Sequence, residues 1–346
     1  MTKEEKYMKL CLELAVKGLG NVAPNPMVGS VIVADNRIIG TGYHEQYGKA
    51  HAEVNVINSV SNKELLQKAT LYVNLEPCSH FGKTPPCADL IIKYKIPRVV
   101  IGCIDAFAKV NGRGIKKLKS AGVDVKISIL EKECKRLNKT FFTYYEKKRP
   151  YTILKWAETA DGFIDAKRSF GDTKKAMQIS GQESKVLTHK LRSQVQAIMV
   201  GTNTALLDNP HLTTREVKGK NPLRIVIDRD LKIPRHFNLL DQSVPTIIFT
   251  AKKTNSKNNL EFIKINFRKN ILPQILKRLY KREIQSVMVE GGTRLLNSFI
   301  ENDLWDEILI FQANKEIKDG VRAPLLNLRP TKVEKIGSDK LYTYIH

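Results

Sequence analysis

Long apolar runs are missing from this chain, so nothing in it reads as a membrane span, which takes about 20 consecutive apolar residues. The opening stretch, Met1-Thr2-Lys3-Glu4-Glu5-Lys6, is without the apolar core of a secretory signal. Cysteine is scarce and odd in number, 5 in 346 residues. That excludes a disulfide framework and fits a reducing compartment, the cytoplasm. Aromatic residues make up only 7% of the chain, and they are not interleaved with basic residues as in single-strand nucleic-acid binders. Internal repeats and low-complexity segments are absent, which leaves ordinary globular domains.

What is present is bulk and positive charge. A 42% hydrophobic content over 346 residues suffices for two domains with sizeable cores. Lys and Arg number 58 against 35 Asp and Glu, a formal net charge of +23. Such a charge can signal nucleic-acid binding. Here the lysines are scattered and form no single block, which favours a general Lys bias on solvated faces, with a few charges serving a phosphorylated substrate.

The chemistry concentrates between His51 and Cys87. The stretch opens with His51-Ala52-Glu53 and closes with Pro77-Cys78-Ser79-His80 through Pro86-Cys87. One imidazole and two thiolates fill three tetrahedral positions around Zn²⁺ and leave the fourth open, as a catalytic site requires. Glu53, in the helix that His51 opens, is placed to move protons without binding the metal. His-x-Glu followed by Pro-Cys and a second Cys is the pattern of the zinc deaminases. There zinc lowers the pKa of water, and the glutamate relays protons to the ring nitrogen and the leaving ammonia. Taken singly, a His-x-Glu is commonplace, and two cysteines in a reduced protein are usually small buried hydrophobes. The combined pattern favours the metal. Both cysteines are expected near helix starts, which favours thiolates. His80 is assigned to the substrate pocket or the loop, since three ligands are already in hand. Asn25, in the rigid turn Pro24-Asn25-Pro26, and His44, in a Gly-flanked loop ahead of His51, are candidate substrate contacts.

Periodicity predicts a helix over 3–18, with Cys11 in the core, then strands at 30–34 and 37–42. A helix from Ala52, a strand at 70–75, a helix at 87–95, a strand at 98–104 with a core Cys103, a helix at 115–120 and a strand at 123–127 follow. Strands alternating with helices mean a layered α/β domain, placed at residues 1–146. The second domain, 147–346, is again α/β. Its strands are expected at 152–156, 197–201, 223–228, 246–251, 286–290 and 307–312, and its helices at 181–193, 272–281 and 293–302. Val289-Glu290-Gly291-Gly292-Thr293 reads as strand, glycine turn and helix start, where free N–H groups can meet a phosphate. Gly201-Thr202-Asn203-Thr204 with Asp208-Asn209-Pro210 and Arg215 is another polar strand-exit loop. Alone, these are either a phosphate or nucleotide site or plain turns.

Motifs in order make the chain resemble the bifunctional riboflavin-biosynthesis enzymes, a pyrimidine deaminase fused to a reductase. They are Pro24-Asn25-Pro26-x-Val28-Gly29, His51-Ala52-Glu53-Val54, and Glu76-Pro77-Cys78-Ser79-His80-x-Gly82-Lys83-Thr84-Pro85-Pro86-Cys87. Arg149-Pro150-Tyr151 with Lys155-x-Ala157 and Asp161-Gly162, Leu191-Arg192, the run Gly201 to Arg215, and Glu290-Gly291-Gly292 complete the set. The most specific is the cysteine pair, because eight residues separate its members where cytidine and tRNA deaminases usually have two.

The resemblance implies a cytidine-deaminase-like α/β/α domain and a dihydrofolate-reductase-like α/β domain. The first deaminates 2,5-diamino-6-(5-phosphoribosylamino)pyrimidin-4-one to the corresponding uracil; the second reduces the ribosyl group to ribityl with NADPH. By position, His51, Cys78 and Cys87 bind one Zn²⁺ per deaminase domain and Glu53 is catalytic. Ala157, Thr204, Asp208, Gly291 and Gly292 match cofactor positions, and Arg192, Leu212, Arg215 and Glu290 match substrate positions. The two arginines suit a ribose phosphate. A homo-oligomer, with no nucleic-acid or membrane partner, is expected. The chain departs from the family pattern at Ala106-Phe107-Ala108 after Asp105, at Ala160, in a lengthened segment before Ile179, at Ala176 and Gln178, and at Arg229. The reductase site has therefore drifted more than the deaminase site. Competing readings are a deaminase with a silent second domain, a nucleic-acid deaminase, and a non-catalytic RNA binder, which the intact Glu53 argues against.

Overall fold

A reciprocal cap starts the first helix, α1 (Lys3–Val16): the Glu5 N–H donates to Thr2 Oγ1 at 3.2 Å, and the Thr2 N–H donates to Glu5 Oε2 at 2.7 Å. The structure, a computed structural model, describes residues 1–81, 85–107, 110–172 and 176–346. Gly82, Lys83 and Thr84 of the metal-loop motif, and Ala108, lie outside the described residues. The chain divides into two compact units, Met1–Lys148 and Arg149–His346.

After α1 the first unit runs β1 (Gly29–Ala34), β2 (Arg37–Tyr43), α2 (Ala52–Ser59), β3 (Thr70–Leu75), α3 (Cys87–Lys93), β4 (Arg98–Cys103), α4 (Arg113–Ser120), β5 (Asp124–Lys126), α5 (Glu131–Leu137) and α6 (Lys139–Lys147). The strands form one sheet in the order β2-β1-β3-β4-β5. β1 pairs antiparallel with β2 and β3, while β3, β4 and β5 run parallel. Side chains alternate across a strand, and here both faces are covered. Ile32, Leu71, Val73, Val99 and Ile101 pack with Val56 and Ile57 of α2, Ile91 of α3 and Leu118 of α4. Val31, Val33, Tyr72 and Val100 pack with Met8 and Cys11 of α1, Cys134 of α5 and Phe141 and Phe142 of α6. The result is an α/β/α sandwich. Cys11 and Cys103 are core residues. The aromatic run 141–145, which the sequence reading left without an element, lies in α6 because one face of that helix fills this second layer.

The second unit runs β6 (Tyr151–Glu158), β7 (Phe163–Asp165), α7 (Gln182–Gln194), β8 (Ala197–Gly201), α8 (Thr202–Asp208), β9 (Leu223–Ile227), β10 (Thr246–Thr250), β11 (Leu260–Lys264), α9 (Ile271–Tyr280), β12 (Ser286–Val289), α10 (Thr293–Glu301), β13 (Glu307–Gln312), β14 (Val321–Arg322), β15 (Lys332–Ile336) and β16 (Asp339–Ile345). Nine strands form a sheet in the order β11-β10-β9-β8-β12-β6-β13-β16-β15, and β7 pairs with β14 apart from it. From β11 to β13 the strands are parallel; β16 and β15 are added antiparallel. One face packs on α9 and α10 through Leu272, Ile275, Leu296 and Phe299. The other packs on α7 and α8 through Leu187, Leu191 and Ala205. Parallel order puts the carboxyl ends of β6, β8, β9, β10, β11 and β12 on one edge, where ligands of α/β sheets bind. No helix among the described residues is long and apolar enough to cross a membrane.

Candidate functional site

His51 caps α2 in extended conformation (φ −74°, ψ 165°), so its ring leaves the helix start while Glu53 lies in the first turn. Cys87 is the first residue of α3. Cys78 follows β3 in a loop and starts no helix, contrary to the sequence expectation; its sulfur accepts the Cys87 N–H at 3.3 Å. His51 Nδ1 lies 3.6 Å from Cys78 Sγ and 3.4 Å from Cys87 Sγ, and the three ligand atoms fall within 4.8 Å of one another. Ligands at the usual Zn–N and Zn–S lengths around a tetrahedral centre stand roughly 3.6 Å apart, so this donor set fits zinc. The first proton leaves at Cys78, which hydrogen bonds from Cys87 and His51 pull down to about 4. Cys87 moves the other way, raised by its contact with the Cys78 sulfur and by burial. A dication suits such a site because it allows both sulfurs to be thiolates at once.

Glu53 is buried, 3% exposed, and burial lifts it to about 7 against the pull of His51. Asn25 and His44 come together beside the cluster. The His44 ring is 5.4 Å from the His51 ring, edge-on. Burial lowers the His44 pKa, keeping the ring neutral. A neutral ring that donates Nδ1–H to the Ala50 carbonyl (3.0 Å) must accept at Nε2, and Asn25 Nδ2 lies 3.1 Å from that atom. This fixes the Asn25 amide and leaves its oxygen without a partner among the described residues. His80 Nδ1 is buried and also has no partner among the described residues, and the His80 ring stacks edge-on against Phe107 at 5.7 Å.

Asp105, outside the residues singled out from sequence, belongs to the same neighbourhood. It is buried, and burial raises it to about 7 while the Phe107 N–H lowers it. Glu76 frames the loop, accepting from the N–H groups of Asp105, Gly112, Gly114 and Ile115. A carboxyl directly after a buried strand was the available signal for Asp105.

In the second unit, Gly291 and Gly292 form the turn between β12 and α10. Gly291 has φ +124°, open to glycine, and a Cβ on Gly292 would stand 3.2 Å from Thr204 Oγ1. The turn and the start of α8 therefore converge, as the sequence reading requires of a cofactor cradle. Ala157, near the end of β6, is partly buried. Asp208 ends α8, and its carboxylate is taken up by Arg168 from the lengthened segment; Arg168 also holds Asp165 and, at 2.9 Å, the Leu207 carbonyl.

Arg192 does not stand ready for a phosphate. Its guanidinium grips Glu290 with two hydrogen bonds, 2.8 and 2.6 Å, and reaches the Thr213 carbonyl at 3.2 Å. Burial opposes ionisation of Glu290, but Arg192 outweighs it and holds the carboxyl down to about 2. Arg215 is half-exposed and only loosely paired with Glu216 at 3.9 Å, which leaves its guanidinium accessible. The Leu212 side chain lies in the core, 2% exposed, with φ +51°; only its backbone can meet a ligand. Lys155, singled out only within a motif, is the missed member. It sits in β6 with Glu290 and Arg192 as its charged neighbours, burial lowers its pKa, and its Nζ lies 5.4 Å over the Phe311 ring. A lone lysine inside the apolar strand Tyr-Thr-Ile-Leu-Lys-Trp-Ala was its signal in the sequence.

Comparison with known proteins gives relatives for both halves. The family described as "Cytidine and deoxycytidylate deaminase zinc-binding region" matches residues 1–103, and "RibD C-terminal domain" matches residues 150–342. The riboflavin biosynthesis protein RibD of Aquifex aeolicus is 40% identical over 97% of this chain and 96% of its own length. That of Synechocystis is 36% identical over 99% and 96%. A crystal structure of a diaminohydroxyphosphoribosylaminopyrimidine deaminase/5-amino-6-(5-phosphoribosylamino)uracil reductase from Thermotoga maritima superposes with a TM-score of 0.86 at 38% identity, covering 98% of this chain and 97% of that one. Acinetobacter baumannii RibD gives 0.88 at 29% identity, covering 99% and 98%.

Proposed function

Because the chain belongs to the RibD family of bifunctional riboflavin-biosynthesis deaminase/reductases, we infer that its two units catalyse consecutive steps on one phosphoribosyl pyrimidine. Unit Met1–Lys148 converts 2,5-diamino-6-(5-phosphoribosylamino)pyrimidin-4-one to 5-amino-6-(5-phosphoribosylamino)uracil. Unit Arg149–His346 reduces the ribosyl group to ribityl with NADPH. The observation that carries the reading is the convergence of His51, Cys78 and Cys87 on one point beside the buried Glu53.

In the first step His51, Cys78 and Cys87 hold zinc, and zinc bound there supplies the Lewis acidity that makes water a nucleophile near neutral pH. Glu53, buried and poised near neutrality, takes a proton from the attacking water. It then gives protons to the ring nitrogen and the departing amine; a C–O bond forms, the C–N bond breaks and ammonia leaves. Asn25, locked by His44, presents its free amide oxygen to the pyrimidine. In the second step the cradle of Thr204, Gly291 and Gly292 receives NADPH, which supplies hydride, and the ribosyl C1′ accepts it. The bond from C1′ to the ring oxygen breaks as the hydride arrives, the sugar opens to ribityl, and the freed oxygen takes a proton to become a hydroxyl; Lys155 is the candidate donor, since burial weakens its hold on that proton. Glu290, steadied by Arg192, orients the substrate, and Arg215 takes its phosphate. All five cysteines are free of disulfides, in keeping with a reducing compartment, the cytoplasm; a homo-oligomer is also proposed, whose size light scattering would measure.

The test is one assay. Zinc-loaded protein is given the diaminopyrimidine, with and without NADPH, and products are followed by mass. Deamination shifts the mass by one unit and reduction adds two. The second shift is expected only with NADPH. A first shift without the second removes the reductase reading, and neither shift removes both.

A further inference from the structure

Arg215 sits in the segment 209–222, which joins α8 to β9 and forms neither helix nor strand. Its backbone is nonetheless held, and the holder is one face of α7. Lys185, His189 and Arg192 fall on that face, at spacings of four and three residues. Each reaches one residue of the segment. Lys185 Nζ pairs with Glu216 Oε1 at 2.9 Å, His189 Nδ1 accepts the Arg215 N–H at 3.1 Å, and Arg192 Nη1 donates to the Thr213 carbonyl at 3.2 Å. The segment therefore runs back along the helix with one contact per turn. It also lies close against the end of α7, where a Cβ on Gly219 would stand 2.5 Å from Ser193 Cβ. Of the three holding side chains His189 is the most deeply buried, at 2% exposure.

Burial and the guanidiniums of Arg192 and Arg215 lower the His189 pKa to about 4, so the ring is neutral at neutral pH. A neutral ring that accepts at Nδ1 carries its proton on Nε2. Three residues further on, about 4.5 Å along the helix axis, Arg192 also holds Glu290. One face of α7 thus carries both ends of the reductase pocket: Glu290 through Arg192, and Arg215 through His189. With its neighbours held at 213 and 216 and its own N–H taken up, Arg215 keeps little freedom beyond its side-chain torsions. We propose that His189 is the positioning residue of the phosphate anchor: by accepting the Arg215 N–H it sets where that guanidinium stands relative to Glu290. A buried histidine that only satisfies a backbone N–H supports the fold, and with it the reduction of any substrate. One that registers Arg215 matters only when a phosphate is there to be met. The inference rests on the reductase reading above, with Arg215 as the phosphate ligand.

The test follows NADPH oxidation by the full-length protein on the deaminated substrate, with and without its 5′-phosphate. The variants are His189→Ala, His189→Gln, His189→Asn and Arg215→Ala. Loss of the acceptor in His189→Ala should raise KM for the phosphorylated substrate roughly tenfold, leave kcat within about twofold, and leave the dephosphorylated substrate unaffected. Glutamine puts its amide where Nε2 stands and should behave like alanine. Asparagine puts its oxygen where Nδ1 stands and should recover most of the loss. Where His189→Ala does not fold, the Gln and Asn pair decides. Equal loss on both substrates, or Gln and Asn behaving alike, overturns the proposal. A raised KM in Arg215→Ala with none in His189→Ala or His189→Gln overturns it while the role of Arg215 stands. An unchanged KM in Arg215→Ala removes the phosphate assignment, and a wild-type chain that oxidises no NADPH removes the reductase reading; the proposal falls with either.

Discussion

Glu290 is charged in a place where charge is costly, and Arg192 explains why it stays charged. The ion pair is almost fully shielded from water, at 12% and 9% side-chain exposure, so removing one partner strands the other. Glu290→Gln is expected to destabilise the second unit by about 3 kcal/mol at neutral pH. The sign of its pH dependence follows from the depressed folded value, about 2 against an ordinary 4.5. The stabilisation is complete above pH 4.5 and is lost as pH falls through 2. Urea unfolding between pH 5 and 2 should therefore be less steeply pH-dependent in the variant. Asp105 behaves oppositely. Burial raises it from 3.8 to about 7, so folding favours its protonated form, and stability declines as pH rises from about 4 to 7. Asp105→Asn is expected to raise the melting temperature at pH 8 and leave it nearly unchanged at pH 4. An equal shift at both values would refute burial as the cause.

At the scale of elements, the helix that carries His51 and Glu53 is seated on a glycine. α2 crosses β2 so closely that a Cβ on Gly42 would stand 2.4 Å from the Val56 nitrogen, closer than any real contact. Gly42→Ala must push α2 outward, at about 1–3 kcal/mol, and carry His51 away from the two sulfurs. Metal analysis should find reduced zinc content and assays a deaminase rate at least tenfold lower, with NADPH oxidation on the deaminated substrate unaffected. The sequence declared α2 because its apolar residues repeat at helical spacing, and it declared the buried parallel strands because they are short apolar runs between turn residues. It did not declare β11, β15 and β16. Leu260–Lys264 and Lys332–Ile336 are edge strands with mixed side chains, without the continuous apolar run that marks the buried strands. The metal set was legible because three residues of two zinc-binding types, one His and two Cys, share one stretch of the chain. The Arg192–Glu290 grip was not, because 98 residues separate its partners.

The whole molecule is two units with separate cores, and each hydrophobic cluster belongs wholly to one of them. Zinc is therefore a ligand of one unit's folding equilibrium. Binding to the folded form alone adds stability that grows with the logarithm of free metal, and in the first unit that stability is tied to His51, Cys78 and Cys87. Removing zinc with a strong chelator should abolish deamination and lower the melting transition of the first unit. Reduction of already deaminated substrate should continue within about twofold of the untreated rate, since no stabilisation in the second unit depends on the metal. Re-addition of zinc should restore deamination, because two free thiols and one imidazole are already gathered within 4.8 Å and little ordering remains to oppose rebinding. Loss of both activities on chelation would mean that the units share a folding transition, and the separation of cores would then have no energetic meaning.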